Sequence, residues 1–276
     1  MMIKQLLFIC FLIQFSVASA QILPPQHLFR HGLEGKVKSI SEIVSANDSS
    51  SAEFSLITAT FNEAGYIQTV QQFKNEALFS VLKYYYQQDS VADYAVEYNP
   101  NGSVYIRIRF ETDENGFVER AFYDRSEQKK VDANRQPIEL EYYQFYQAQY
   151  HQIRIKHDFT GRMLSQKYYS LEDDLLYAHE YEYDFRSNLT GMKYKNAKNH
   201  LIHWSKFLYN DKMLVKQQKV FRDNTLIEKI NTSYELDEQK NWVKKVATHI
   251  YPKNIYNQNK QDKTEIRTRS ITYYEE

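Results

Sequence analysis

The feature that most constrains this chain is a turn signal that returns at a nearly fixed interval. Asp158, Asp184, Asn210 and Asp237 follow one another at steps of 26, 26 and 27 residues. Each sits in a short polar stretch: "HDFTGR" (157–162), "YDFRSN" (183–188), "YNDKM" (209–213) and "ELDEQKNW" (235–242). Further polar turns lie midway between them, "SLEDD" (170–174), "NAKN" (196–199) and "RDN" (222–224). Earlier members are "FNEAGY" (61–66), "YNPNGS" (98–103) and "TDENGF" (112–117). Asp and Asn side chains bond nearby backbone, and Gly or Asn accepts positive φ, so these are hairpin turns. One repeat is therefore one hairpin with a turn at each end, in the size range of repeat architectures. Asp158, Gly161, Asp184, Asn188, Asn210, Asp237 and Asn241 are expected to be structural turn residues.

The runs between the turns alternate. In "VYIRIRF" (104–110), Val104, Ile106, Ile108 and Phe110 share one face, and Tyr105, Arg107 and Arg109 the other. "QIRIKHDF" (152–159) sets Ile153 and Ile155 against Arg154 and Lys156. Period two predicts strands with one buried and one wetter face. The sequence holds 24 Tyr and 16 Phe but only 7 Gly and 5 Pro. Tyr favours strands and tolerates a half-wet face, because its ring is apolar and its tip polar. The expected fold is all-β: a long antiparallel meander of repeated hairpins forming a large twisted or curled sheet. Its exposed edges would need protection, for which the lysines of "WVKKV" (242–246) and the charged ends of the chain are candidates.

The stretch "YEYDFRSNLTGMKY" (181–194) resembles the YD repeat of RHS-type proteins through Tyr181, Tyr183, Asp184 and Leu189. "YELDEQKNWVKKV" (234–246) is a degenerate copy, and "LEGKVKSISEIV" (33–44) and "EIRTRSITYY" (265–274) resemble the ends of secreted YD-repeat-like bacterial proteins. The resemblance implies the meander architecture, not a toxin shell, for which the chain is too short.

"MMIKQLLFICFLIQFSVASA" has the three parts of a secretory leader: Lys4, the apolar run Leu6 to Val17, and Ala18-Ser19-Ala20 as cleavage site. The expected organisation is a signal peptide over 1–20, cut between Ala20 and Gln21, and one domain over 21–276. Within it, "SANDSSSA" (45–52), "DRSEQKKVDANRQP" (124–137) and "YPKNIYNQNKQDK" (251–263) read as loops. The single cysteine, Cys10, leaves with the leader, which removes Cys nucleophiles, thiolate zinc sites and redox chemistry. Thirty-five basic residues balance 35 acidic ones, so bulk charge gives no case for nucleic acid or an anionic membrane as partner.

Chemical motifs are thin. Arg30-His31-Gly32 is similar to the opening of the histidine acid phosphatase signature, but Leu33-Glu34-Gly35-Lys36 follows where a second Arg and a Pro belong. That catalytic loop also needs an α/β setting, which the preceding "QILPPQHLF" does not offer. His200 and His203 have opposite parity and make a poor metal pair. Cross-strand or solvent-facing roles are expected for the histidines. Glu97, Glu111, Glu119, Asp158, Glu182 and Asp184 suit a glycosidase pair by type alone. A lipid-facing barrel fares badly on its faces: "VKQQKVF" (215–221) carries Lys216 and Gln218 on one side and Gln217 and Lys219 on the other.

The sequence thus predicts an exported, periplasmic or secreted protein, not membrane-spanning after leader cleavage, with no cofactor, no metal and no nucleic-acid partner. It would act by binding a protein or glycan in the envelope, as an immunity-type or glycan-binding protein. The candidate binding face comprises Tyr105, Arg107, Arg109, Tyr181, Tyr183, Trp204 and Trp242. The alternative is a secreted hydrolase acting on glycans or phosphate esters.

Overall fold

The computed structural model describes residues 33–46, 56–74, 76–88, 91–114, 116–124 and 151–275. The leader, its cleavage site, Arg30-His31-Gly32 and nearly all of the 124–137 loop lie outside the described residues.

Sixteen strands follow in chain order. The first eight are β1 (Val37–Ala46), β2 (Leu56–Phe61), β3 (Ile67–Lys74), β4 (Ala77–Gln88), β5 (Val91–Tyr98), β6 (Val104–Thr112), β7 (Val118–Asp124) and β8 (Gln152–His157). The second eight are β9 (Met163–Tyr169), β10 (Leu175–Tyr183), β11 (Leu189–Asn196), β12 (Leu201–Tyr209), β13 (Val215–Arg222), β14 (Thr225–Leu236), β15 (Trp242–Ile250) and β16 (Lys263–Tyr273). Each pairs antiparallel with its sequence neighbours, and β1 pairs with β16, from Val37↔Tyr273 to Ala46↔Glu265. The sheet is therefore a closed barrel.

Closure corrects the expectation of an open, curled sheet. The two strands that would have been edges satisfy each other, so none of the edge protection anticipated for the lysines is needed. Lys244 and Lys245 lie in a doubly paired strand: Lys244 meets Glu235 at 2.7 Å on the outer wall, and Lys245 points inward beside Arg267.

Why the hairpins repeat is visible in the turns. Among the described residues, nine share one pattern, starting at Asn62, Asn99, Asp113, Asp158, Ser170, Asp184, Asn196, Asn210 and Asp237. In each, the backbone N–H of the starting residue donates to the carbonyl four residues on, and the N–H three residues on donates back. The residue three on has positive φ, and the ladder register slips by one beside the turn. This is the three-residue hairpin loop with a bulge. The starting side chain adds the local bond expected of Asp or Asn: Asp158 Oδ1 accepts from the N–H of Thr160 at 2.9 Å and of Arg162 at 3.0 Å. Asp184 does the same for Arg186 and Asn188 at 2.9 Å each, and Asn210 for Lys212 and Leu214. Gly161 holds φ +79°. Asp237 Oδ1 accepts from Asn241 N at 2.8 Å. Asn241 Nδ2 in turn donates to Glu34 O at 2.9 Å, fastening the lead-in to this turn.

Strand alternation continues around the ring. Ile40, Ala59, Val70, Leu82, Tyr84, Ala95, Ile106, Ile108, Phe110, Ala121, Ile153, Ile155 and Tyr168 form one buried cluster on the inner face of β1–β9. Arg107 and Arg109 stand on the opposite, exposed face, as their parity requires. Followed by register through β10–β16, the inner face changes character. His179, Tyr194 and His203 succeed Gln166, and Lys245, Arg267 and Arg269 precede Glu42 on the return to β1. Because successive strands run in opposite directions, the turns after β2, β4, β6, β8, β10, β12 and β14 lie at one rim. The start of β1 and the end of β16 lie there too. The 47–55, 125–151 and 251–262 connections leave the other rim.

Candidate functional site

The residues proposed from sequence as one binding face do not form one. Arg107, Arg109 and Trp204 belong to the outer wall by parity, whereas Tyr105, at a register shift between β5 and β6, packs against the buried inner cluster. Tyr181 and Tyr183 point inward, where Tyr181 donates to Gln166 Oε1 at 2.7 Å and Tyr183 to Met163 O at 2.9 Å. Trp242 is buried, with the Arg269 guanidinium 3.4 Å from its ring centroid. The physical reason is that tyrosine suits either face, so residue type alone does not assign the side. Arg109 is engaged locally, over the Phe122 ring and 2.7 Å from Glu111.

What register brings together on the outer wall is a different set. Lys206 of β12 is directly opposite Lys219 of β13, and Lys219 is directly opposite Lys229 of β14. None of the three has a carboxylate within ion-pair distance among the described residues. Like charges directly opposite across strands are destabilising, so a ladder of three lysines opposes the stability of the wall that carries it. Beside it, Trp204 and Phe221 stack with centroids 4.3 Å apart, and the Lys206 amine lies 5.0 Å from the Trp204 ring. A second basic row, Arg120↔Arg154↔Lys167, crosses β7–β9. It is partly neutralised, because Arg154 meets Asp173 and Arg120 approaches Glu111 at 3.7 Å. The amino-acid sequence alone does not reveal either row: the paired residues are 10 to 34 positions apart, and only register aligns them.

Two groupings line the inner wall. In the first, Glu42 bridges the seam between β1 and β16, accepting from Arg267 Nη1 at 3.0 Å and Arg269 Nε at 2.8 Å. Arg267 Nε also donates to Glu265 Oε1 at 2.6 Å. Burial alone would raise the Glu42 carboxyl, but Arg269 and then Arg267 outweigh it and hold it below its ordinary range. Lys245 stands among these groups; burial, with Arg267 beside it, pulls its amine down to about 8. Next to them His249 Nδ1 and Glu228 Oε1 are 2.8 Å apart, and Glu228 Oε2 has no hydrogen-bond partner.

The second grouping is a stripe of rings across β9–β12. Tyr168 stacks on Tyr177 at 4.2 Å, and Tyr194 lies between His179 at 5.4 Å and His203 at 4.9 Å. Burial, assisted by His203, pushes His179 down to about 3, and burial with Arg222 nearby brings His203 to about 4. Both imidazoles are neutral near pH 7, and the Nδ1 of each is buried without a hydrogen-bond partner. The expectation of solvent-facing or cross-strand-bonded histidines does not describe these two. Tyr194 separates them, and among the described residues no group of three His, Cys, Asp or Glu is placed to hold a metal ion.

No protein-family model matches this chain, and no curated protein matches it. Among solved structures it is similar to a porin-like protein from Bacteroides uniformis, with a TM-score of 0.54 and 12% identity over 87% of this chain and 98% of that one. A porin-like protein from Bacteroides vulgatus gives a TM-score of 0.34 at 9% identity, over 86% and 98%. The Photorhabdus luminescens Tc holotoxin pore gives 0.30 at 10%, over 71% of this chain and 13% of that one. At such identity the first likeness concerns the barrel fold alone. No helix among the described residues is long and apolar enough to cross a membrane, which says nothing about strands.

Proposed function

We propose that this is an exported β-barrel protein of the bacterial envelope that acts by binding an acidic glycan on its outer wall. The observation that carries the reading is the Lys206–Lys219–Lys229 ladder. Its amines are aligned by backbone pairing, lack carboxylate partners, and stand beside a stacked Trp204–Phe221 pair. Adjacent strands are about 4.8 Å apart, so the ladder offers cations at a repeat suited to a polymer bearing one acidic group per sugar. The same wall speaks against immersion in lipid, where each mid-strand lysine would cost roughly 2–4 kcal/mol. The leader sequence supports export, and the recurring hairpin turn builds the wall on which the ladder stands.

Affinity electrophoresis in gels containing polygalacturonate or neutral dextran tests the proposal. Retardation by the acidic polymer only, abolished by added salt and by the Lys206→Gln/Lys219→Gln/Lys229→Gln variant, is expected. Equal retardation in both gels, or none, overturns it. Hydrolysis of a glycan admitted to the barrel interior, apart from the outer ladder, is the second reading, favoured by the inner-wall His249–Glu228 pair with its unpartnered oxygen. Release of reducing ends, lost in Glu228→Gln, would establish it.

A further inference from the structure

The lysine ladder is bounded, and register shows by what. Its row runs from Glu182 of β10 through Gly191 of β11 to Lys206, Lys219 and Lys229, and then to Ile250 of β15. Along the strands, the adjoining outer positions are Trp204 and Phe221 on one side and Leu208, Gln217 and Asn231 on the other. None of these five carries charge, and Gln217 Nε2 donates to Asn231 Oδ1 at 2.9 Å. The amines of the ladder thus form one short cationic strip in an uncharged surround.

At the β11 end the strip is stopped by a carboxylate. A Cβ at Gly191 would lie 2.6 Å from Glu182 Oε2, so the Glu182 side chain fills the place that a residue 191 side chain would take. Lying there, Glu182 pairs with Lys193, two residues further along β11, rather than with the ladder. Lys193 is directly opposite Trp204 and therefore diagonal to Lys206. Diagonal neighbours on one face are about 7–8 Å apart, inside the screening length of roughly 10 Å at 0.1 M salt. An unpaired Lys193 would extend the strip to four cations. Held by Glu182, it adds none.

Building on the acidic-glycan reading, we propose that the ladder selects a segment of three consecutive acidic sugars, laid around the barrel across β12–β14, and that the Glu182–Lys193 pair sets this length. Each acidic group meets one amine at the strand spacing. A fourth group past Lys206 would lie over Gly191, against the Glu182 carboxylate. One past Lys229 would lie over Ile250, which offers neither charge nor a side-chain hydrogen bond. Units beyond three therefore gain no cation at either end. The ligand class is a short oligouronide, or a three-unit stretch of a longer one, and Glu182 determines specificity by keeping Lys193 out of the strip.

Isothermal titration of the full chain with oligogalacturonates of one to six units tests the proposal. Affinity is expected to rise about two- to fivefold with each unit up to three. From four to six units it should grow only by the statistical gain of added binding registers. Glu182→Gln frees Lys193, and the limit should move to four units. Glu182→Gln/Lys193→Gln should return it to three. Glu235→Gln controls for net charge, because it frees Lys244 on the outer wall away from the ladder, and should keep the wild-type limit. The Glu182 and Lys193 side chains are 54% and 38% exposed, and melting temperatures verify that each variant retains the fold. A stepwise rise that continues past three units in the wild type overturns the proposal. So does a limit that Glu182→Gln leaves in place, or that Glu235→Gln moves equally. Binding at no length overturns the acidic-glycan reading itself, and the length limit with it.

Discussion

The hydroxyl of Tyr209, at the end of β12, donates to the carbonyl of Leu189, at the start of β11, over 2.9 Å. It closes the end of the strand pair that no turn closes. Tyr183 reaches Met163 O at 2.9 Å and Tyr234 reaches Val215 O at 3.0 Å in the same manner, one hairpin away on either side. Tyr209→Phe leaves the ring in place and removes one partly buried bond. A loss of about 1 kcal/mol in chemical denaturation is expected, with no change in the outer wall.

Glu42 joins the first strand to the last, and its Gln variant would leave Arg267 and Arg269 buried without their shared carboxylate. Breaking a buried ion network by removing one member costs about 3–5 kcal/mol. Glu42→Gln should therefore lower stability by that order. Hydrogen exchange should accelerate first at the amides of β1 and β16, while the β10–β13 amides change least.

Stability should decline on acidification from about pH 6.5. His179 and His203 have folded pKa values near 3 and 4, below the ordinary 6.5, so the unfolded chain binds more protons between those limits. Stability contributed by the neutral rings is complete above 6.5 and falls as pH drops toward the folded values. The loss for both is on the order of a few kcal/mol. Denaturation midpoints measured from pH 7 to 4 should show a shallower slope in His179→Phe than in wild type.

Gly161 and Gly102 hold nearly the same φ, +79° and +83°. A Cβ at Gly161 would lie 2.6 Å from the Phe117 ring, whereas one at Gly102 meets nothing within 4 Å. Gly161→Ala should therefore destabilise more than Gly102→Ala by about 1 kcal/mol or more, the backbone strain being common to both. Paired melting curves measure the difference directly.

Much of the wall was legible because its grammar is local. The 26-residue spacing from Asp158 to Asp237 reflects a turn that each hairpin builds from its own side chains, and Ile106 and Ile108 against Arg107 and Arg109 reveal the pleat. Closure was not legible, since the pairing of Val37 with Tyr273 depends on twist accumulated over every intervening strand. The faces of tyrosine and histidine were equally hidden. Tyr94 is exposed and Tyr168 buried although they are the same residue type, and His203 is buried with its ring stacked on Tyr194 of the neighbouring strand. The lysine ladder belongs to the same class: three unremarkable lysines acquire meaning only when register sets them abreast.

Since β1 and β16 are partners whose outer ends share a rim, the order in which the strands are made is separable from the ring they form. A circular permutant, with Glu275 linked to Leu33 and new termini opened at the Asp223–Asn224 turn, would keep every neighbour relation around the ring. The chain has ends, but the wall has no first strand.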